Sequence, residues 1–280
     1  MQFKILRQYV LPQHLLSRFA GLMANCRWPW LKNWLIKDFV KRYQVDLSLA
    51  QQENVEDYPS FNHFFTRRLK PAVRPIASGV KQIASPADGA ISQIGHIEQD
   101  TILQAKGFHF SLKTLLGNDE QLAARFRDGL FATIYLAPKD YHRVHMPLTG
   151  QLRETTYIPG KLFSVNQYTA NHVPNLFSRN ERLVCLFDTD TGPMVVILVG
   201  AMLVGSMQTV WPQEINHKTP IRQTFADGPL LKRGEELGLF KLGSTVIVLL
   251  PKNQATWRAD LQENTTVRFG EAIGDGTNSG

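Results

Sequence analysis

Four short, strongly apolar segments constrain the fold of this chain more than any other feature of its sequence. They are LFATIYLA (130–137), LVCLF (183–187), MVVILV (194–199) and TVIVLL (245–250). Each is rich in β-branched or aromatic residues and has the length of a buried strand. A fifth segment, GAISQIGHIE, alternates apolar and polar residues as a half-buried strand does. We therefore predict an α+β fold with a mainly β body, whose antiparallel or mixed sheets form a barrel or a sandwich.

The first 50 residues have a different pattern, which is typical of helices interrupted at Pro12 and Pro29. Apolar residues recur there at helical spacing: Leu15, Leu16, Phe19, Leu22 and Met23, then Leu31, Trp34, Leu35 and Phe39. Residues 1–45 hold eight Lys and Arg against Asp38 alone, so this segment carries the whole net charge of +7. Basic charge, an apolar face and three tryptophans (Trp28, Trp30 and Trp34) indicate a helix lying in the interface of an anionic membrane. The alternative is a helical arm packed on the body or on a second subunit.

We divide the chain into a helical membrane-associating segment, 1–50, and a body, 51–280. No apolar run is long enough to span a bilayer, and the N-terminus lacks a signal-peptide pattern. We therefore expect a peripheral protein on the cytoplasmic side of the cell membrane. Cys26 and Cys185 are far apart, so we expect neither a disulfide nor a zinc site. No nucleic-acid-binding motif accompanies the basic segment, and we expect no nucleic-acid partner. Two further helices are predicted, at 61–69 and at 111–127.

Three short stretches contain residues that could carry chemistry. Asp88 lies in a proline- and glycine-bounded turn that could aim its carboxylate, although turns commonly contain aspartate. His142 and His145 could serve as a general base or as a structural pair; without a convincing third ligand, we predict no metal. Ser244 follows Gly243 at the head of TVIVLL, where an ordinary turn and a nucleophile both fit. No GxSxG motif surrounds Ser244, which argues against an α/β-hydrolase.

Seven sequence blocks resemble the successive signatures of bacterial, pyruvoyl-dependent phosphatidylserine decarboxylases. They occur in the order of that family and cover roughly residues 55–250. The blocks are FNHFFTRRLKPAVRPI, SPADGAISQIG, ILQAKG, YLAPKDYHRVHMP, FSVNQYTANHVPNLFSRNER, ILVGAMLVGS and FKLGSTVIVLL. Each block alone is weakly specific, whereas seven in register are not expected by accident. The basic, Trp-bearing N-terminus also resembles the membrane-associated helices of this family.

The resemblance implies that Ser244 is a self-processing serine, with Asp88 and His145 as its charge-relay partners. Asp88 would orient His145, and His145 would take the proton from Ser244 Oγ, which would attack the carbonyl carbon of Gly243. The products would be a large chain, 1–243, and a small chain, 244–280, that begins with a pyruvoyl group. The two chains would remain together as a heterodimer, and the sequence leaves open whether that heterodimer dimerises further.

The resemblance also implies the reaction and the cofactor. The covalent pyruvate derived from Ser244 would be the Schiff-base site for phosphatidylserine in an anionic membrane, and the product would be phosphatidylethanolamine. His142 is our candidate for the proton donor. Two other functions stay open: a serine hydrolase that uses Asp88, His145 and Ser244 without self-cleavage, and a non-enzymatic membrane-binding module. The sequence does not rank the candidates for binding the lipid phosphate: Arg67, Arg68, Arg143 and Lys161.

Overall fold

The computed structural model describes residues 8–9, 13–105, 107–201, 207–215, 217–241 and 244–277. The helices are α1 (Gln13–Ala24), α2 (Pro29–Tyr43), α3 (Phe61–Phe65), α4 (Leu112–Leu115), α5 (Glu120–Phe126), α6 (Gln167–Ala170) and α7 (Leu176–Arg179), with a 3-10 turn at Val55–Asp57. The strands are β1 (Gln82–Ala84), β2 (Gly89–His96), β3 (Thr101–Ala105), β4 (Phe108–Ser111), β5 (Leu130–Leu136), β6 (Arg143–His145), β7 (Gly150–Ile158), β8 (Arg182–Thr189), β9 (Gly192–Val199), β10 (Met207–Thr209), β11 (Ile221–Thr224), β12 (Leu230–Leu231), β13 (Glu236–Phe240), β14 (Ser244–Leu250), β15 (Ala255–Trp257), β16 (Thr266–Val267) and β17 (Ala272–Gly276).

A nine-stranded antiparallel sheet forms the centre of the body. Its strand order is β11-β7-β8-β9-β14-β5-β2-β16, with β12 pairing beside β11 on β7. The four apolar segments predicted as strands are β5, β8, β9 and β14, and all four lie side by side in the order β8-β9-β14-β5. Every residue of β14 is buried because both faces of this sheet are covered. Because side chains on both faces of these strands are buried, the segments are continuous apolar runs rather than alternating ones.

The two faces of the large sheet pack against different layers. On one face, Val246 and Val248 pack with residues of the two small sheets β10-β13-β6 and β1-β17-β15. On the other face, Ile247 and Leu249 pack with apolar residues of α4 and α5. The α+β prediction is confirmed, with sheets stacked as in a sandwich. In the described residues the large sheet has two open edges, β11 and β16, so it is not a closed barrel.

The N-terminal helices α1 and α2 confirm the predicted helical segment. Some of its apolar residues pack on the body, and others are exposed. Ile36 is fully buried, and Leu35 and Phe39 pack beside it against the aromatic side chains of α3. The tryptophans face outwards instead: Trp30 and Trp34 of α2 are 69% and 62% exposed. One helix therefore packs on the body and also presents aromatic side chains to the surroundings. None of the described helices is long and apolar enough to cross a membrane.

The two further helices lie where they were predicted, but the first ends earlier and the second is broken in two. Helix α3 begins after Ser60, whose Oγ accepts a hydrogen bond from the backbone of His63, as an N-cap does. It ends at Phe65 rather than Leu69, because Leu69 forms a β-bridge with Ala50. The helix predicted at 111–127 is divided into α4 and α5 around Gly117, whose φ of 79° is left-handed.

Candidate active site

The predicted site residues lie at one end of the large sheet, where three of its strands start or finish. Ser244 is the first residue of β14 and pairs with Leu136, the last residue of β5. The preceding residue of β5, Tyr135, pairs with Ala90 near the start of β2. Asp88 immediately precedes β2. The antiparallel register thus brings the turn of Asp88, the end of β5 and Ser244 to the same end of the sheet.

Ser244 is fully buried, and its Oγ has no hydrogen-bond partner within the described ranges of the chain. A buried hydroxyl without a partner loses its hydrogen bonds to water and gains none in the fold, which is unfavourable. Such groups are uncommon in folded proteins and often mark functional sites. The predicted cleavage partner, Gly243, lies outside the described residues.

Asp88 is held by an arginine that the sequence analysis gave no role. Arg74 Nε lies 3.1 and 3.2 Å from the two carboxylate oxygens, and Arg74 Nη2 lies 2.6 Å from one of them. The backbone N–H of Phe269 donates a further hydrogen bond of 2.9 Å to Asp88 Oδ1. Both charged side chains are about nine-tenths buried. Charge-assisted, two-pronged pairs of this kind fix geometry strongly, so the orientation of the Asp88 carboxylate is set by Arg74.

His145 is arranged as a neutral base. Its Nδ1 lies 2.8 Å from the carbonyl oxygen of Gly234 and must carry the hydrogen of that bond, because a carbonyl only accepts. In the neutral ring Nε2 is then an acceptor, and the Tyr141 hydroxyl lies 3.3 Å from it. Burial lowers the pKa of His145, and the carboxylates of Glu236 and Asp88 oppose that effect only in part.

Phe269 lies between Asp88 and His145. Its backbone binds Asp88, and its ring stacks on the His145 imidazole with 3.9 Å between centroids. The backbone N–H of His145 also donates to the carbonyl of Pro86, in the turn of Asp88. The structure therefore brings Asp88 and His145 together, but their side-chain hydrogen bonds go to other groups. Among the described residues, no hydrogen bond joins Asp88 to His145 or His145 to Ser244, so the predicted relay is not assembled in this structure.

His142 is closely connected to the strand end beside Ser244. Its imidazole is fully buried and stacks on Phe65 with 4.0 Å between centroids. Its Nε2 lies 3.1 Å from the carbonyl of Ala137, the residue after Leu136, and its Nδ1 has no partner in the described part of the chain. Burial, reinforced by the positive charge of Arg67, lowers the pKa of His142 to about 3. At neutral pH, His142 is therefore uncharged, with a buried Nδ1 lone pair.

Two cavities open beside these groups. The first, of about 490 Å³, is lined by Asp88, Arg67 and Tyr135, among others. The second, of about 390 Å³, is lined by His145, Glu236 and Phe269, among others. Arg74 and Tyr141 line both cavities and so separate Asp88 from His145. Neither His142 nor Ser244 lines either cavity; both lie behind the walls in the uncut chain.

Sequence reasoning missed Arg74, Tyr141 and Phe269. Arg74 and Tyr141 lie inside two of the sequence blocks given above, so the blocks could have drawn attention to them, but no spacing rule pairs Arg74 with Asp88. Phe269 lies 181 residues from Asp88 and outside every block, so no signal in the sequence points to its contact with that residue.

A buried serine hydroxyl that lacks a hydrogen-bond partner among the described residues, at the sheet end that also holds Asp88, is suited to nucleophilic attack, which places the molecule among enzymes. The chain belongs to the phosphatidylserine decarboxylase family, whose model matches residues 61–275. A second family model, described as PSD, matches residues 3–44. These matches confirm the predicted family and its enzyme class, a decarboxylase.

The similarity extends over nearly the whole chain. A phosphatidylserine decarboxylase proenzyme of Ectopseudomonas mendocina is 55% identical over 277 residues, which are 97% of each chain. The proenzyme of the same name from Pseudomonas putida is 54% identical over 277 residues, covering 97% of this chain and 96% of its own. A third, from Pseudomonas fluorescens, is 53% identical over 278 residues with the same coverage.

Proposed function

We propose that this chain decarboxylates phosphatidylserine to phosphatidylethanolamine, using a pyruvoyl group that it makes from Ser244. Membership of the decarboxylase family supports the reaction, and the relatives' designation as proenzymes supports processing of the chain. The observation that carries the proposal is the buried, unpartnered Oγ of Ser244 at the head of a central strand. Ser244 fits the proposed group because strand pairing holds the residues that follow it after the preceding bond is broken.

Self-cleavage begins with transfer of the Ser244 Oγ proton to Nε2 of His145. The oxygen attacks the Gly243 carbonyl, and the Gly243–Ser244 amide becomes an ester with a free amine on residue 244. Elimination releases Gly243 as a carboxylate and leaves a carbon–carbon double bond at residue 244. Tautomerisation and hydrolysis then release ammonia and leave the ketone. Asp88 favours protonated His145 electrostatically, while Arg74 and Phe269 hold its carboxylate in place.

In the mature enzyme, the ketone supplies a carbonyl that condenses with the substrate amine and accepts the electrons released with CO₂. We propose His142 as the donor of the proton to the carbon that has lost CO₂, because its imidazole is bonded to the strand end beside Ser244.

The N-terminal helices bring the enzyme to its lipid substrate. Trp28, Trp30 and Trp34 are each more than 60% exposed, and they lie within the segment that carries the net charge of +7. Exposed tryptophans beside basic residues favour the interface of an anionic membrane. We propose that the enzyme binds the membrane peripherally through α1 and α2, on the cytoplasmic side.

The substitution Ser244→Ala tests the proposal because it removes the attacking oxygen. We expect one uncut chain with no decarboxylase activity. Wild type should give two fragments by intact mass, the smaller one lighter than the serine-started sequence 244–280 by the mass of ammonia. An uncut Ser244→Ala chain with full activity would exclude the proposal. An intact wild-type chain labelled at Ser244 by a fluorophosphonate would instead indicate the serine hydrolase.

A further inference from the structure

Arg67 is a buried cation with hydrogen-bond donors to spare. Its side chain is only 5% exposed, and its Nη2 donates to the carbonyls of Lys139 (3.0 Å) and Asp140 (3.4 Å). Its Nε and Nη1 are buried and have no hydrogen-bond partner among the residues that the structure describes. Leaving donors of a buried charged group unpaired is among the more costly arrangements in a folded protein. An arginine held in this way is ready for an anion that the uncut chain does not itself supply.

The position of Arg67 connects it to the reaction site. The turn Ala137–Asp140 follows Leu136, the sheet partner of Ser244. Arg67 binds two carbonyls of this turn, and the imidazole of His142 binds a third, that of Ala137. Arg67 also lines the cavity of about 490 Å³. The guanidinium is therefore fixed to the same short turn as His142, and Arg67 is part of the wall of a cavity large enough for a headgroup.

The structure separates Arg67 from the other basic residues considered for the lipid phosphate. Arg143 is already paired with both carboxylate oxygens of Glu236, at 2.7 and 2.8 Å. The side chain of Arg68 is 63% exposed and lies 4.0 Å from the same glutamate. Lys161 is exposed. Of the four candidates, Arg67 alone combines burial with unpartnered donors.

We propose that the unpartnered N–H groups of Arg67 bind the phosphodiester of the phospholipid headgroup. This inference rests on the proposed function for its substrate. The headgroup of phosphatidylserine also carries a carboxylate, but the charge of that group is lost as CO₂ leaves. A cation on the carboxylate would stabilise the ground state more than the transition state and so slow the reaction. The phosphodiester keeps its charge throughout, so Arg67 can hold it without opposing decarboxylation.

The first experiment measures binding to the uncut Ser244→Ala chain and so does not depend on self-cleavage. Isothermal titration with dihexanoyl phosphatidylethanolamine is compared for Ser244→Ala alone and combined with Arg67→Met, Arg67→Lys or Arg68→Met. We expect Arg67→Met to raise Kd about 10- to 100-fold, the effect of losing a charge-assisted contact. Arg67→Lys should have a smaller effect because it keeps the charge but not the planar fork. The control Arg68→Met should leave Kd within about twofold.

The second experiment uses the mature enzyme and distinguishes the two anionic groups of the substrate. In mixed micelles, Arg67→Met should raise the KM for phosphatidylserine and the inhibition constant of phosphatidylethanolamine by the same factor, with little change in kcat. A raised KM with an unchanged inhibition constant would overturn the proposal in favour of the carboxylate, because the product has lost that group. Unchanged values of both would show that Arg67 only supports the turn.

Two outcomes keep this inference distinct from the proposed function. If mature wild type lacks decarboxylase activity but the titration behaves as expected, the proposed function fails and the phosphodiester site stands. If the Ser244→Ala chain does not bind the lipid, the site fails whatever the activity. Should Arg67→Met not fold, Arg67→Lys decides: a Kd and a KM equal to those of the parent chains would overturn the proposal.

Discussion

His142 and His145 are three residues apart but have opposite free nitrogens. His145 uses Nδ1 for a backbone carbonyl and leaves Nε2 as the acceptor, whereas His142 uses Nε2 and leaves Nδ1 bare. Their surroundings differ as well, because His145 lines a cavity and His142 is fully buried against Phe65. This difference is consistent with the separate roles proposed above, His145 in self-cleavage and His142 in the reaction with substrate.

This division of roles predicts different defects for two matched substitutions. His145→Ala should remain a single uncut chain because the base for Ser244 is lost. His142→Ala should cut normally but lose about 10²- to 10⁴-fold in kcat, as expected when a positioned acid–base group is removed. Intact mass measures the first property, and CO₂ release from phosphatidylserine measures the second. A His142→Ala chain that stays uncut would show that the two histidines act in the same step.

Individual side-chain contacts were the part of the site that the sequence could not predict. Ser244, His145 and Asp88 were found because each lies in a recognisable block, and the fold does bring their strand ends together. The hydrogen bonds that hold Asp88 could not be predicted, because they come from Arg74 and Phe269. These residues lie 14 and 181 positions from Asp88, and neither contact leaves a periodic or spacing signal. The tautomers of the two histidines likewise follow from carbonyls that only the fold places nearby.

At the scale of elements, β14 is the strand that the proposed cut before Ser244 would affect most. Its neighbours β9 and β5 hydrogen-bond to it on both sides, and all seven of its residues are buried. Strand existence was predictable here because an apolar run of this length between turn residues has few alternatives. Strands such as β6 and β13 were not predicted, because they are short and have only weak alternation.

The packing of β14 predicts a large loss of stability when one of its side chains is shortened. Ile247 is fully buried on the helix-covered face, so Ile247→Ala should lower the free energy of unfolding by about 2–5 kcal/mol. The measurement is denaturant unfolding in the uncut Ser244→Ala background, where the chain remains continuous. Val80→Ala, at a 93% exposed position, is the control and should change stability by less than about 0.5 kcal/mol. A loss below about 1 kcal/mol for Ile247→Ala would contradict this packing.

At the scale of the whole molecule, the N-terminal helices both pack on the body and expose tryptophans on their outer side. Deleting residues 1–45 would remove the outward-facing tryptophans and would also uncover the aromatic cluster around Phe64 and Phe65. Phe65 stacks on His142, so a deletion would disturb the site as well as the proposed membrane-binding surface. The sequence predicted the amphipathic helices but not this division, because Leu35, Phe39 and the tryptophans share one apolar pattern.

Substitution of the outward-facing tryptophans is therefore the sharper test of membrane binding. Trp28→Ala, Trp30→Ala and Trp34→Ala combined should weaken binding to anionic liposomes about tenfold or more, because these rings no longer enter the interface. Sedimentation with phosphatidylglycerol-containing vesicles measures the binding, and thermal unfolding should be nearly unchanged. The control Val80→Ser alters an exposed apolar residue outside these helices and should leave binding intact. Unaltered sedimentation of the triple variant would indicate that these helices only pack on the body.

The central position of β14 also affects whether a molecule can reassemble once its two chains have separated. In the uncut chain, β14 joins its neighbours as part of one polypeptide; the proposed cut before Ser244 would leave it in a separate polypeptide that has never folded alone. A mature molecule that comes apart must then find its other half by diffusion, at a rate that depends on concentration, instead of closing a loop. The uncut chain is thus the form that can fold by itself. The two chains of a cut molecule, once separated, would not readily regain the same structure.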